Sequence, residues 1–273
     1  MADPLLDPTV GEHYRHEADE DSRIRRGVGE LELVRVREIV HRHLPPGAQR
    51  VLDVGGATGV HAEWLLTDGH TVHLIDPVDS QVERACRQLG DSEGFRAQVG
   101  DARSLPVDDS SYDVALLFGP LYHLGEREDR LLVWREAKRA VQDGGAIFAM
   151  GITRFGSLFD GLAREHLFDP AFRTIVERDL ATGRHQNPDR RPGWFTDAYF
   201  HAPGELAAEA DEAGLAVLGV VGVEGMAAWL PALAARWDDP GERDVIIEAA
   251  RSIESEPGLI GLSPHHVVVA SPS

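Results

Sequence analysis

The chain has 273 residues, 42% of them hydrophobic, so it can bury a sizeable core and is not expected to be globally disordered. Acidic residues outnumber basic ones by 46 to 27, and the formal charge of −19 would repel a phosphate backbone. We therefore expect no nucleic-acid partner. The length predicts one core with elaborations rather than two full domains.

The cysteine content and the apolar runs predict the cellular compartment of the protein. A single cysteine, Cys86, excludes an intrachain disulfide and a cysteine-rich metal site. Residues 1–10 lack the apolar core of a signal peptide, and no stretch reaches the roughly 18 apolar residues needed to cross a bilayer. These features predict a cytoplasmic protein without a membrane partner. A monomer and a homodimer both fit the sequence.

Residues 1–45 are predicted to form an N-terminal helical arm or cap. Residues 1–22 are acidic and weakly apolar, which fits either a disordered tail or an arm that folds over a ligand. Apolar positions recur at helical spacing from Gly29 to His43, and the Pro45-Pro46-Gly47 sequence would end that helix. The core is then predicted to run from residue 46 to residue 273.

Strand and helix patterns alternate along this core. Short apolar runs predict strands at 50–54, 71–75, 95–99, 112–118, 146–150, 215–223 and 266–270, and helical patterns lie between most of them. This alternation predicts an α/β fold with a Rossmann-like, doubly wound and mostly parallel seven-stranded sheet. Two segments, at about 151–202 and 226–260, interrupt the alternation and are predicted to be helical lid insertions.

The loop after the first predicted strand carries the strongest functional signal. It reads Asp53-Val54-Gly55-Gly56-Ala57-Thr58-Gly59, and its glycines allow a sharp turn and a close approach of ligand to backbone. Ligands of open parallel sheets bind beyond the carboxyl ends of the strands. The G-x-G-x-x-G spacing of dinucleotide-binding loops fails here, whether it is counted from Gly55 or from Gly56.

This loop resembles the acidic-x-G-x-G-x-G motif of class I S-adenosylmethionine (SAM) dependent methyltransferases, with Ala57 in place of a usual glycine. Three further matches follow later strands: Asp76, Asp101, and the segment 119–124 (Gly-Pro-Leu-Tyr-His-Leu). The resemblance covers about residues 50–150, includes the Asp-Gly-Gly turn at 143–145, and is similar to the small-molecule group of ubiquinone and menaquinone biosynthesis.

The resemblance implies SAM as the cofactor. A carboxylate at Asp76 can accept hydrogen bonds from the ribose hydroxyls, and Asp101 would hold the adenine amino group. Tyr14 would close the site if the N-terminal arm folds over SAM; the alternative is a mobile N-terminus. The implied cofactor-binding residues are Tyr14, Gly55, Gly56, Ala57, Gly59, Asp76, Pro77, Asp101, Ala102, Phe118 and Gly119.

His123 is the candidate general base, needed only if the acceptor must lose a proton; the alternative is a structural histidine. The candidate substrate-binding residues are Tyr122, Arg154, Trp194, Tyr199 and His201, although the aromatic rings could instead pack the lid against the core. The thirteen histidines show no metal-ligand spacing, so no metal is predicted.

The resulting hypothesis is methyl transfer from SAM to an oxygen, nitrogen, sulfur or carbon nucleophile of a small-molecule acceptor. Two alternatives stay open at this point. One is a nicotinamide-dependent oxidoreductase on a similar sheet, which the failed loop spacing disfavours. The other is a SAM-binding module that has kept the fold without the reaction.

Overall fold

The structure, a computed structural model, describes residue 24 and residues 27–191 and 193–272. The proposed contact of Tyr14 with the cofactor lies outside these described residues. Within them, no helix is long and apolar enough to span a membrane.

A central sheet with helices on both faces confirms the predicted α/β fold. Its strands are β1 (Arg50–Val54), β2 (Thr71–Asp76), β3 (Phe95–Val99), β4 (Tyr112–Leu117), β5 (Val141–Thr153), β6 (Arg184–His185), β7 (Ala198–His201), β8 (Leu215–Gly222) and β9 (His265–Pro272). Strands β3-β2-β1-β4-β5 are parallel neighbours in that order, and β9 runs antiparallel between β5 and β8.

The described part of the chain has two more strands than the seven predicted. Both lie in the first insertion, which is therefore not purely helical. The short ribbon of β6 and β7 joins the sheet where β7 pairs with the end of β5, at Ile152 and Thr153. Strands of two and four residues are too short to show a periodic apolar pattern, so the sequence does not reveal them.

The helices cover both faces of this sheet. They are α1 (Val28–His43), α2 (Val60–Thr67), α3 (Asp79–Leu89), α4 (Pro120–His123), α5 (Arg127–Ala140), α6 (Gly156–Ala163), α7 (Pro170–Thr182), α8 (Glu205–Glu212), α9 (Leu233–Trp237) and α10 (Pro240–Ile253). Three short 3₁₀ helices lie at 166–168, 225–229 and 260–262.

Two main hydrophobic clusters flank the sheet, and this explains the nearly continuous apolar strands. One cluster includes Trp134 of α5 and Leu206 of α8; the other includes Val36 of α1 and Leu65 of α2. A strand covered on both faces has no solvent-facing side, so four of the five β1 residues are buried. The carboxyl ends of β1 to β4 consequently meet at one edge of a rigid sheet.

Candidate active site

A cavity opens at the edge where the first four strands end. The residues that line it are Ile24, Glu32, Val54, Gly55, Gly56, Ala57, Thr58, Val60, His61, Ile75, Asp76, Pro77, Val78, Gln81, Gly100, Asp101, Ala102, Phe118, Gly119, Pro120, Tyr122, His123, Leu124 and Met150. Nine of the eleven predicted cofactor residues are in this wall. Gly59 is not, because its α-carbon faces Leu89 of α3, and Tyr14 lies outside the described residues.

The loop between β1 and α2 fits too tightly for side chains. Gly55 has a φ of +75°, and a Cβ there would lie 2.9 Å from Pro120 Cδ. A Cβ at Gly56 would lie 2.6 Å from Asp53 Oδ2 and 2.8 Å from Leu74 Cδ1. The loop therefore presents bare backbone to the cavity, as a ligand that packs against a main chain requires.

Ala57 is the residue where this loop departs from the usual glycine. Its φ is +46°, in the left-handed region that alanine rarely adopts. Its backbone N–H donates a hydrogen bond of 2.9 Å to Asp76 Oδ2. The loop conformation is thus tied to the carboxylate at the end of β2.

Asp76 is held by backbone donors on both of its oxygens. Oδ2 accepts from Ala57, and Oδ1 accepts from the Val78 N–H at 2.9 Å. Burial raises the pKa of this carboxyl to about 6, although the two backbone hydrogen bonds oppose that shift. Each carboxylate oxygen keeps a further lone pair, so the group can still accept ligand hydroxyls.

Asp53 lies beneath the loop and does not line the cavity. Its side chain is buried, and neither carboxylate oxygen has a hydrogen-bond partner among the described residues. Burial, with a smaller contribution from the charge of Asp76, raises its pKa to about 7. Its position beneath Gly56 favours support of the loop over contact with a ligand.

Asp101 lines the cavity just beyond β3 and pairs with an arginine. The Arg103 guanidinium donates to both of its oxygens, with Nη2 2.8 Å from Oδ2, and also bonds to Asp129. The Arg103 backbone N–H donates to Oδ1 at 2.8 Å. Arg103 therefore holds the Asp101 carboxylate in a fixed orientation at the cavity.

The segment after β4 also lines this cavity and packs against Gly55. Tyr122 Oη donates a 2.6 Å hydrogen bond to the Phe118 carbonyl, which locks the turn of α4 against the strand end. The rings of Tyr122 and His123 meet edge to face with centroids 4.7 Å apart. Both residues line the same cavity as Asp76 and Asp101.

Part of the cavity wall comes from residues that sequence reasoning did not select. Ile24 and Glu32 approach from the N-terminal region, Met150 lies within β5, and His61 lies in the first turn of α2. Trp64 Nε1 donates to His61 Nδ1 at 3.3 Å, which places the proton of a neutral His61 on Nε2. Only His61 had a local signal, since it follows the glycine loop by two positions.

Four of the five predicted substrate residues do not reach this cavity, and each contacts other parts of the protein. Arg154 donates to the Phe200 carbonyl and to Glu205, and Tyr199 Oη contacts Glu205 Oε1 at 2.5 Å. His201 is fully buried on β7. Trp194 packs on Phe172, with ring centroids 4.9 Å apart. Arg154 and Tyr199 thus tie the insertion to Glu205 of α8, whereas Trp194 packs within the insertion.

The fold also brings together a set of side chains that could bind a metal ion. Glu32, Glu224 and His265 each place one donor atom within 4.8 Å of the other two. The three residues lie far apart in the sequence, so a search for ligand spacing along the chain misses them.

Comparisons with known proteins agree with this architecture. Residues 52–149 match the family described as a methyltransferase domain. An uncharacterized methyltransferase of Mycobacterium tuberculosis is 31% identical over 111 residues, which are 41% of this chain and 43% of that relative. An uncharacterized methyltransferase of Mycobacterium bovis matches to the same extent. The match thus spans less than half the length of these curated relatives.

Solved structures share the fold over most of the chain. A putative SAM-dependent methyltransferase from Listeria monocytogenes has a TM-score of 0.60 at 16% identity, covering 89% of this chain and 99% of that one. A geranyl diphosphate methyltransferase in complex with GPP and sinefungin has a TM-score of 0.53 at 16% identity, covering 87% and 78%. The cyclase SpnF has a TM-score of 0.54 at 20% identity, covering 87% and 80%.

At these identities the structural likeness shows the fold alone, and the family assignment comes from the matched domain. That domain spans β1 to β5 and contains the glycine loop, Asp76 and Asp101. Residues 52–149 therefore match a methyltransferase domain, and the rest of the chain shares only the fold of the solved SAM-dependent methyltransferases.

Proposed function

We propose that this protein transfers the methyl group of SAM to a nucleophilic atom of a small-molecule acceptor. The observation that carries the proposal is that the candidate residues for the donor and for the acceptor line one cavity. Asp76, Asp101 and the glycine loop line one part of it, and Tyr122 and His123 line another. A donor and an acceptor bound in this cavity would be in contact with each other.

The residues present fit SAM as the donor. Gly55 and Gly56 line the cavity and carry no side chains, so a ligand can approach their backbone. Asp76 would accept the ribose hydroxyls, and Asp101 would accept the adenine amino group. SAM, when bound, supplies a methyl group activated by its sulfonium, so the leaving group needs no protonation.

On the acceptor side, the chain contributes position and one titratable group. Holding two reactants in reactive geometry contributes about 7–11 kcal/mol in well-oriented systems. We propose that His123 accepts the acceptor's proton where the nucleophile carries one, because an unperturbed imidazole titrates near neutrality. Tyr122, fixed through Phe118, would form the wall against which the acceptor packs.

The charge of the chain supports a small acceptor over a nucleic acid. A formal charge of −19 opposes the approach of a polyphosphate backbone. A neutral or cationic small molecule meets no such barrier.

Calorimetry tests the donor assignment first. The purified chain would be titrated with SAM and, separately, with NADH. We expect SAM to bind in the micromolar range, and Asp76→Asn and Asp101→Ala to weaken it at least tenfold, because each removes a directional acceptor for the ligand. Asp91→Asn, at an exposed position, is the matched control. Binding of NADH in place of SAM would refute the assignment.

A second assay tests the reaction. Transfer of a labelled methyl group would be followed across phenols, amines, thiols and activated carbon acids, with release of S-adenosylhomocysteine as the common readout. His123→Gln should lower kcat about 10²- to 10⁴-fold for acceptors that lose a proton, and should leave SAM affinity unchanged. Tight SAM binding without turnover of any acceptor class would support the non-catalytic alternative. This outcome has to be tested because a cyclase shares this fold, so the fold alone does not imply methyl transfer.

A further inference from the structure

Three segments that are distant in sequence converge beside the cavity. Glu32 lies on α1, Glu224 lies two residues beyond the end of β8, and His265 is the first residue of β9. The Val223 N–H donates to the His265 carbonyl at 3.0 Å, which sets Glu224 next to the histidine. The buried Arg35, one turn after Glu32, donates to the Val223 carbonyl at 3.1 Å and fixes α1 against the same loop.

The three donor atoms face one another at distances that suit a common ion. His265 Nδ1 lies 2.5 Å from Glu224 Oε1 and 3.9 Å from Glu32 Oε2, and all three side chains place a donor atom within 4.8 Å of the others. Ligand atoms about 2.1 Å from a six-coordinate ion lie roughly 3.0 Å apart when adjacent and roughly 4.2 Å apart when opposite. An increase of about half an ångström in the distance between Nδ1 and Oε1 would admit such an ion.

Glu224 is oriented by hydrogen bonds to its second carboxylate oxygen. Its Oε2 accepts from Ser263 Oγ at 2.9 Å and from the His265 backbone N–H at 3.1 Å, so Oε1 is aimed at the imidazole. Ser263 Oγ in turn accepts from the backbone N–H groups of Glu224 and Gly225. Outer hydrogen bonds of this kind fix ligand geometry in metal sites and are distinct from an accidental acidic patch.

We propose that Glu32, Glu224 and His265 bind a divalent first-row metal ion such as Mn²⁺, Fe²⁺ or Zn²⁺. The donor set of one imidazole and two carboxylates suits these ions, whereas Mg²⁺ and Ca²⁺ favour oxygen alone. With His265 neutral as a ligand, a divalent ion brings the charge of the three side chains to zero. Both carboxylates are buried, with exposed fractions of 4% for Glu32 and 0% for Glu224, so a neutralising cation is worth more here than at a surface.

The location gives this site a functional consequence. Glu32 also lines the cavity that Tyr122 and His123 line, so the ion would lie beside this cavity. An acceptor with an oxygen donor could then complete its coordination. This second step rests on the proposed methyl transfer, but binding of the ion does not.

Metal binding is measured directly on the full chain. Protein stripped with a chelator would be titrated with Mn²⁺, and free Mn²⁺ would be followed by electron paramagnetic resonance, with Zn²⁺ as competitor. We expect one saturable site in the micromolar range. Glu32→Gln and His265→Gln should each weaken it at least tenfold, and Glu248→Gln, whose side chain is 72% exposed, should bind as wild type does.

The circular dichroism spectrum and the melting temperature of each sample show whether the variants are folded. Saturable Mn²⁺ binding that both variants weaken supports the site. Absence of Mn²⁺ and Zn²⁺ binding to wild type at concentrations up to about 1 mM would overturn it and leave an ion pair of Glu224 and His265. Metal binding unchanged in both folded variants would overturn it as well. Neither result depends on SAM binding or on turnover.

Discussion

The buried carboxyl of Asp53 should make folding stability depend on pH in a way that one substitution removes. Its pKa is about 7 in the folded protein, against an ordinary value of 3.8, mainly because burial penalises the charged form. Between these two pH values the folded state holds a proton that the unfolded state has released. The contribution of Asp53 to the free energy of unfolding therefore falls as pH rises from about 4 to about 7, and levels off above that.

The size of the effect follows from the shift. One pKa unit corresponds to about 1.36 kcal/mol, so a shift of about 3 units costs about 4 kcal/mol in total. About 3 kcal/mol of this falls between about pH 5 and about pH 8, the range accessible to experiment. An asparagine side chain carries no charge at any pH. The free energy of unfolding of Asp53→Asn, relative to that of wild type, should therefore rise by about 3 kcal/mol between about pH 5 and about pH 8.

Urea denaturation at about pH 5, 6, 7 and 8 measures this difference for both proteins. Asp113→Asn is the control, since pairing with Arg50 lowers the pKa of Asp113, and its contribution is lost only as pH falls below the ordinary value. The free energy of unfolding of Asp113→Asn should therefore change with pH in the same way as that of wild type from about pH 5 to about pH 8. Parallel curves for Asp53→Asn and wild type would refute the reasoning and mean that the Asp53 carboxylate ionises without penalty.

Three further substitutions test the loop and the core. Ala57→Gly should raise the melting temperature by about 2 °C, because it removes a left-handed alanine worth about 1–2 kcal/mol of strain; a lower value would contradict the backbone assignment. Gly56→Ala should lower the free energy of unfolding by about 1–3 kcal/mol. Gly219 has open space around it, so Gly219→Ala should leave that free energy nearly unchanged. Equal effects of the two substitutions in urea titrations would count against the tight loop. Arg130→Met should lower the free energy of unfolding by about 3–5 kcal/mol, because it leaves the buried Glu209 carboxylate, 2.7 Å from Arg130, without its ion-pair partner. Adding Glu209→Met should recover part of that loss, and no recovery in the double variant would argue against a charge effect.

Local patterns were enough to predict the central sheet and most of the proposed cofactor wall. Short apolar runs that end at glycine or aspartate mark β1, β2 and β4, because strands buried on both faces leave no polar alternation. The edge strand β3 alternates apolar and polar residues instead, and Gly100-Asp101 marks its end. Once those strands are parallel neighbours, their carboxyl ends must meet, and Asp76 and Asp101 come together without further information. Neighbouring residues in the chain supply all of these signals.

What only the tertiary structure decided depends on contacts between distant segments. Glu32 reaches the cavity and approaches Glu224 and His265 because α1 packs against the loop after β8, and no spacing along the chain encodes that meeting. The same reason explains the insertion. Arg154 and Tyr199 carry the chemistry of substrate-binding residues, but Glu205 binds both side chains and keeps them away from the cavity. A residue type shows what a side chain can do, whereas packing determines what it meets.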